Sequence, residues 1–428
     1  METQIPGFTA YIGREWRSSS KGEAFASLNP ATGETLWKGA EATENDIHDA
    51  IEAASNALPT WSALPSEIRV QALLKLGSIL QSEQSKYAEI IAKENGKPLW
   101  EAMGEVAGMI NKIDLSINAY EERCRESIKP LNDAISITRH RPHGVVALLG
   151  PFNFPGYLPF GQIIPALLAG NCIVFKPSEL TPWCGQALTQ LIEKAEIPSG
   201  VFNLVQGGKS TGKLLVDHPK INGVFFVGSW NGGKALAENI GTQPEKILAL
   251  EMGGNNPLVV TNVSDYEAAA YLAIQSAFLT SGQRCTCARR LIVPRGDKGD
   301  RFIQSLIKMT SKIVVGPYTQ KPDPFMGPVI SENSFKALLK AQEGLIAKGG
   351  KSLIEMKRKG EQGFFLTPGI IDVTSIALRE DEEFFGPLLQ LIRVDDFNTA
   401  IVEANNTAYG LTAGLLSDDK NEYDLFLK

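Results

Sequence analysis

Cysteine and histidine are scarce here: the 428 residues include five cysteines and four histidines. Five thiols in so long a chain do not make a disulfide framework, and an odd number cannot all pair. A zinc site is equally ill supplied. Cys285 and Cys287 form a C-x-C with no second cluster, and His48, His140, His143 and His218 all lie far from them in sequence. No metal is therefore expected. An excess of positive charge is also missing. Lys and Arg number 42 against 48 Asp and Glu, for a net charge of −6, which offers no electrostatic footprint for nucleic acid. Internal repeats and low-complexity tracts are absent.

Membrane signals are weak as well. The opening METQIPGFTAYIGREWR has no apolar signal core; with so few cysteines, the expected setting is reduced and cytoplasmic. One long uncharged stretch runs from Gly144 to Phe175, but Pro151, Pro155, Pro159 and Pro165 interrupt it, together with Gly150, Gly156, Gly161 and Gly170. A lipid-exposed helix with that many breaks would leave backbone groups unpaired. The stretch is expected to be strand, loop, buried helix and strand, with no membrane span.

What is present is an ordinary globular composition, 43% hydrophobic and 21% charged, in a chain too long for one core. The first part reads as helical. Val70, Leu73, Leu74 and Leu80 follow helical spacing, and Gly96 closes a second helix around Ile90 and Ile91. Near Ser127 the pattern changes, and "ISITRHRP" alternates Ile135 and Ile137 with polar residues, as a strand of a protruding hairpin would. An α/β rhythm follows. Short apolar strands are predicted at Val145–Leu149, Cys172–Phe175, Val201–Val205, Gly223–Val227 and Lys246–Leu250, with helical segments between them. That alternation implies a parallel, doubly wound sheet. A second α/β unit begins near Gly254, with strands at PLVVT and LIVP.

Two stretches resemble phosphate loops. "GGKSTGKL" supplies Gly207, Gly212 and Lys213, and "GSWNGGKA" supplies Gly228, Gly233 and Lys234, but Leu214 and Ala235 stand where a Ser or Thr would hold Mg²⁺. A nucleotide triphosphatase is thus disfavoured. Each loop follows a predicted strand and opens a helix, which suits a dinucleotide pyrophosphate, with Ser229 adding a hydroxyl. No G-x-G-x-x-G follows the first strand. In "FKPSE", Lys176 and Glu179 lie just beyond a strand's carboxyl end, where a carboxylate accepts from ribose hydroxyls and repels a 2′-phosphate; a solvated surface pair is the plainer alternative. Three further polar residues sit in apolar or glycine-rich settings: Asn153 in "GPFNFPG", Glu251 in "LALEMGGNN" and Cys285 in "SGQRCTCARR". A buried Glu must be paired or chemically employed. A Cys among arginines can hold a thiolate, and an amide can stabilise an oxyanion. Taken singly, each is equally compatible with a structural role.

In order along the chain, PFNFP, FKPSE, the GS-x-x-x-G loop, LEMGG, GQRC and EEFFGP resemble the aldehyde dehydrogenase superfamily. The resemblance implies an α/β fold with two doubly wound domains and a protruding oligomerisation hairpin. The implied division is an NAD-binding domain over 1–123 and 143–253, the hairpin over 124–142, and a catalytic domain over 254–428. It makes Cys285 the nucleophile, Glu251 the general base, and Asn153 with the Cys285 backbone N–H the oxyanion hole. Lys176, Glu179, Gly228, Ser229 and Gly233 would hold the adenosine ribose and phosphates of NAD, Glu383 the nicotinamide ribose, and Phe385 would pack near the nicotinamide. Cys287 has no catalytic counterpart and is expected to be small and buried. Longer stretches, among them "RHRPHGV", "PALLAGN" and "GQRCTCARRL", resemble the branch that oxidises N-succinylglutamate semialdehyde in bacterial arginine breakdown. Such a dicarboxylate calls for cationic donors, and Arg284 and Arg289 are the nearby candidates. The small-molecule partner is therefore a semialdehyde, and the assembly a homodimer or higher homo-oligomer. The family's C-terminal tail, beyond the position of Lys428, is expected to be absent. The alternatives are a dehydrogenase of another semialdehyde and a shortened, inactive paralogue that binds NAD.

Overall fold

The computed structural model describes residues 5–19 and 21–428. The chain divides into two compact units. The first comprises 1–29, 34–95 and 99–251; the second comprises 30–33, 96–98 and 252–428.

The first unit is organised by a seven-stranded sheet in the order Ile247–Met252, Gly223–Gly228, Val145–Leu149, Cys172–Lys176, Phe202–Val205, Ala10–Ile12, Glu15–Arg17. The expected strands appear within a residue or two at their ends. Val145–Leu149 and Cys172–Lys176 are buried at every position and pair in parallel, Val145 opposite Cys172 through Leu149 opposite Lys176. Strands covered on both faces read as unbroken apolar runs, which is why VVALL and CIVF stand out in the sequence. The chain steps from Val145–Leu149 outward to Phe202–Val205, then returns to the other side to lay down Gly223–Gly228. Helices Tyr157–Leu168, Pro182–Lys194 and Lys209–Asp217 make the crossovers.

The N-terminal part departs from its helical expectation. Before the first helix, Glu44–Ala63, come five short strands between Ile5 and Ala40. Ala10–Ile12 extends the main sheet by antiparallel pairing with Phe202–Val205. These strands are 2–6 residues long, too short to show a period, and the partner that ties Ala10–Ile12 to the main sheet lies nearly 200 positions away. The helical reading does hold at Ser66–Ser82 and Gln84–Asn95.

Ser127–Leu131 and Ala134–Thr138 form the expected two-stranded hairpin. Its apolar face is left uncovered by this chain: Ile128, Ile135 and Ile137 are 47–68% exposed.

The second unit holds a six-stranded sheet in the order Lys351–Ile354, Gly369–Asp372, Leu388–Val394, Ala288–Pro294, Asn256–Val260, Gly414–Leu416. All its pairings are parallel except that of Lys351–Ile354. One face is packed by the helices Tyr266–Phe278 and Asp297–Thr310, through Ala273, Phe278, Phe302 and Leu306 against Leu291 and Leu391. Phe335, Leu338 and Leu345 of Glu332–Ala347 pack the other. Among the described residues no helix is long and apolar enough to cross a membrane.

Candidate active site

In the first unit, parallel pairing brings several predicted residues to one edge of the sheet. The loops after Val145–Leu149, Cys172–Lys176 and Gly223–Gly228 all leave from strand carboxyl ends, the usual ligand-bearing edge of such sheets. They carry Asn153, Lys176 with Glu179, and Ser229. Asn153 is 4% exposed. Its loop is secured on both sides. Asn95 Nδ2 donates to Phe152 O (2.8 Å), and the buried Glu105 accepts from Gly156 N (2.9 Å) and Tyr157 N (3.1 Å) at the start of the next helix.

Lys176 is buried. Its Nζ donates to Pro177 O and Gly207 O, both at 2.7 Å, and lies 3.8 Å from the Glu179 carboxylate. Burial lowers the Lys176 pKa, while Glu179 and Glu41 oppose that shift. The Glu179 side chain is 44% exposed, so its carboxylate can accept from ribose hydroxyls. Ser229 caps Trp230–Ile240, accepting from Gly232 N (3.2 Å); its own hydroxyl hydrogen stays available to a phosphate oxygen. Gly228 ends the strand before it, and Gly233 is buried within the helix's first turn.

Two expectations are corrected here. The first phosphate-like loop is not open to a dinucleotide: Glu41 Oε1 accepts from Gly208 N (3.0 Å), and Oε2 from Ser210 Oγ (3.0 Å) and Thr211 Oγ1 (3.3 Å). Glu251 is not buried either. It lies in Ile247–Met252, the edge strand of the sheet, and is exposed. An edge strand has a neighbour on one side only, so a carboxylate there stays hydrated without a partner.

In the second unit the predicted motifs gather at the opposite edge. Three loops precede the parallel strands Asn256–Val260, Ala288–Pro294 and Leu388–Val394 and therefore meet at their amino ends. They contain the motifs EMGGNN, SGQRC and EEFFGP. Asn256 joins two of them: its Nδ2 donates to Cys285 O (2.7 Å) and Cys287 O (2.9 Å), while its Oδ1 accepts from Thr412 N (3.2 Å). Arg289, 1% exposed, joins the cysteine loop to EEFFGP and reaches EMGGNN only through Glu383. Its guanidinium donates to Gly282 O (2.6 Å), Arg284 O (2.8 Å) and Gly386 O (3.2 Å), lies 3.8 Å from the Glu383 carboxylate and covers the Phe385 ring at 5.3 Å. Glu383 also accepts from Gly254 N (3.3 Å). Burial raises the Glu383 pKa, against the Arg289 charge and the Gly254 amide. Gly253 is what lets this carboxylate approach, since a Cβ there would lie 1.9 Å from Glu383 Oε2.

The chain reaches Cys285 through three successive left-handed residues, Thr280 (φ 53°), Ser281 (φ 56°) and Gly282 (φ 70°). For the two non-glycine residues that conformation costs roughly 1–2 kcal/mol each. Hydrogen bonds compensate: Ser281 Oγ donates to Gly327 O (2.8 Å), Arg284 Nε to Thr280 Oγ1 (2.8 Å), and Ile330 N to Gln283 Oε1 (2.9 Å). Cys285 is partly exposed and Cys287 is 1% exposed, and no disulfide joins any of the five cysteines. The Cys287 side chain is a small core group at the start of a buried strand, in keeping with its lack of an assigned role.

Arg289 does not match its expectation as a substrate-carboxylate donor. Three carbonyls and Glu383 already engage it. Sequence reading missed Asn256 and Glu41 as well. The run GGNNP was in view, but nothing local marks its second Asn as the residue that pins the cysteine loop.

Residues 16–428 match the aldehyde dehydrogenase family. The chain belongs to the aldehyde dehydrogenase family. It is 51% identical over 416 residues to the N-succinylglutamate 5-semialdehyde dehydrogenase of Pseudomonas fluorescens (strain Pf0-1), covering 97% of this chain and 85% of that one. The enzyme of the same name from Ectopseudomonas mendocina (strain ymp) is 49% identical, covering 98% and 86%. Among solved structures, the 1-pyrroline-5-carboxylate dehydrogenase from Thermus with bound NAD is similar with a TM-score of 0.93 at 29% identity, covering all of this chain and 83% of that one. As a member of this family the chain has an aldehyde dehydrogenase fold of two α/β units and is an NAD-dependent oxidoreductase acting on a small-molecule aldehyde.

Proposed function

We propose that this enzyme oxidises N-succinyl-L-glutamate 5-semialdehyde to N-succinyl-L-glutamate, with Cys285 as nucleophile. The observation that carries the substrate is the identity of about half the residues, over nearly the whole chain, to dehydrogenases of that name. The partly exposed Cys285, on a loop pinned by Asn256 and Arg289, supports the chemistry.

Cys285 thiolate attacks the aldehyde carbon and forms a thiohemiacetal. Its oxyanion is held by the Asn153 side-chain amide and the Cys285 backbone N–H; loss of one such donor typically costs ~10²–10³ in rate. NAD⁺, when bound, supplies the acceptor for the hydride, whose departure leaves a thioester on Cys285. Glu251 takes a proton from water, and the resulting attack releases the acid and the thiolate. An exposed carboxylate suits that role, because water must reach it.

The residues of the first unit fit NAD. Glu179 offers acceptors to the adenosine ribose beside Lys176, and Gly228, Ser229 and Gly233 present a hydroxyl and a helix N-terminus to phosphate. Glu383 would receive the nicotinamide ribose, and Phe385 would pack near the nicotinamide. By these roles 1–123 with 143–253 is the NAD-binding domain and 254–428 the catalytic domain. The uncovered face of the 124–142 hairpin supports a homo-oligomer, and five cysteines outside any disulfide support a cytoplasmic setting.

The test is NADH formation from N-succinylglutamate semialdehyde, glutamate semialdehyde, succinate semialdehyde and a simple alkanal. The succinylated substrate should have the highest kcat/KM. A higher kcat/KM for the alkanal would refute the substrate while leaving the family chemistry intact.

A further inference from the structure

The loop that opens helix Lys209–Asp217 presents an amide and two hydroxyls to one point, an arrangement that suits an anion. In this chain the anion is built in. Glu41 follows the strand Thr35–Ala40, and its neighbour Ala42 donates to Gln206 O (2.7 Å), which fixes it beside the loop. The Glu41 carboxylate takes Gly208 N and the hydroxyls of Ser210 and Thr211.

The other side of the same loop lies against Lys176. Gly207 O accepts from Lys176 Nζ at 2.7 Å, and a Cβ on Gly212 would touch the Lys176 stem, 3.5 Å from Cε. Lys176 therefore has a carboxylate on each side, Glu179 on its own loop and Glu41 through the Gly207–Gly212 loop. A ribose 2′-hydroxyl in this setting finds carboxylate acceptors. A 2′-phosphate, with a charge of about −2, would need cations and amide or hydroxyl donors, and those of the adjoining loop, Gly208 N, Ser210 Oγ and Thr211 Oγ1, are already bound to Glu41.

We infer that Glu41 is a second determinant of NAD over NADP: it occupies, with its own carboxylate, the cradle that a 2′-phosphate would otherwise use. The inference rests on the placement of the adenosine ribose at Lys176 and Glu179 proposed above. Discrimination is then built against the wrong cofactor by an occupied and negatively charged site.

The experiment compares wild type, Glu41→Gln, Glu41→Asp and Glu179→Gln. It measures kcat/KM for NAD⁺ and NADP⁺ at saturating aldehyde, and Kd for each cofactor by quenching of tryptophan fluorescence. Glu41→Gln should raise the NADP⁺/NAD⁺ ratio about tenfold in both measurements, whereas Glu41→Asp, which keeps the charge, should hold the wild-type ratio. If Glu41→Gln does not fold, Glu41→Met gives the same reading. Equal weakening of both cofactors in the neutral variant would reduce Glu41 to a loop brace and overturn the inference. A ratio moved by Glu179→Gln and untouched by Glu41→Gln would also overturn it, with the ribose placement intact. If neither variant moved the ratio, the ribose placement itself would be wrong.

Discussion

Replacing Arg289 with Met removes one cation from the interior of the second unit. Three carbonyls, those of Gly282, Arg284 and Gly386, lose their donor, and the Glu383 carboxylate loses its counter-charge. Hydrogen bonds from a charged donor contribute about 1.5–3 kcal/mol each, but they share one side chain and do not simply add. Breaking a buried ion pair from one side costs about 3–5 kcal/mol, and that is the expected loss of folding stability in Arg289→Met. Glu383, deprived of the charge that opposes its burial, should titrate higher still. Arg289→Lys should recover only part of the loss, because an ammonium cannot reach three carbonyls in the guanidinium plane. Activity should fall with stability, since a displacement of about 1 Å at a nucleophile can cost ~10²-fold. The assays are a urea unfolding midpoint and kcat/KM on both N-succinylglutamate semialdehyde and a simple alkanal. Both substrates should suffer alike. If Arg289→Met kept wild-type stability and full activity on the alkanal but lost the dicarboxylate, Arg289 would be a substrate ligand and the structural account would be wrong.

Three further predictions concern single residues. Cys285→Ala should abolish NADH formation, whereas Cys287→Ala should retain much of it, with intact folding checked by circular dichroism; equal loss in both would remove Cys285 from its role. Glu251→Gln should give a stopped-flow burst of about one NADH per site, followed by slow turnover as an acyl-enzyme accumulates; wild-type turnover in this variant would exclude Glu251 from deacylation. Glu94 lies fully buried, accepting from Ser27 Oγ (2.5 Å), Trp183 N (2.9 Å) and Cys184 N (2.7 Å), and burial pushes its pKa up to about 7. A carboxyl raised in the folded state contributes stability that is complete below the unfolded value of ~4.3 and lost as pH rises through about 7. Urea midpoints between pH 4.5 and 7.5 should therefore show wild type losing stability relative to the non-titrating Glu94→Gln; parallel pH profiles would contradict the shift.

How much was legible beforehand depended on how local each signal was. The strand cores VVALL, CIVF, VFNLV and GVFFV announce themselves because burial on both faces demands unbroken apolar runs. Their carboxyl-end loops follow directly in sequence, so Asn153, Lys176 and Ser229 could be placed at one edge of the sheet. Cys285 stood out locally only as a candidate, from a glycine-led loop rich in arginine, and its proposed role came from the ordered family motifs. None of these requires knowledge of a distant partner. The short N-terminal strands are different. Ala10–Ile12 is a strand because Phe202–Val205 has a free side for it, and three residues carry no period of their own.

Polar groups follow the same division. The sequence by itself determined which residue types were present to do chemistry, and in what order. Their partners were decided by tertiary structure. Glu41 meets Gly208 across 167 positions and Arg289 meets Gly386 across 97, while Glu251 is exposed because its strand falls at an edge of the sheet. A buried donor or acceptor is satisfied by whatever the fold brings within about 3 Å. Which loops arrive there depends on strand order and register, and these arise from the packing of the whole sheet.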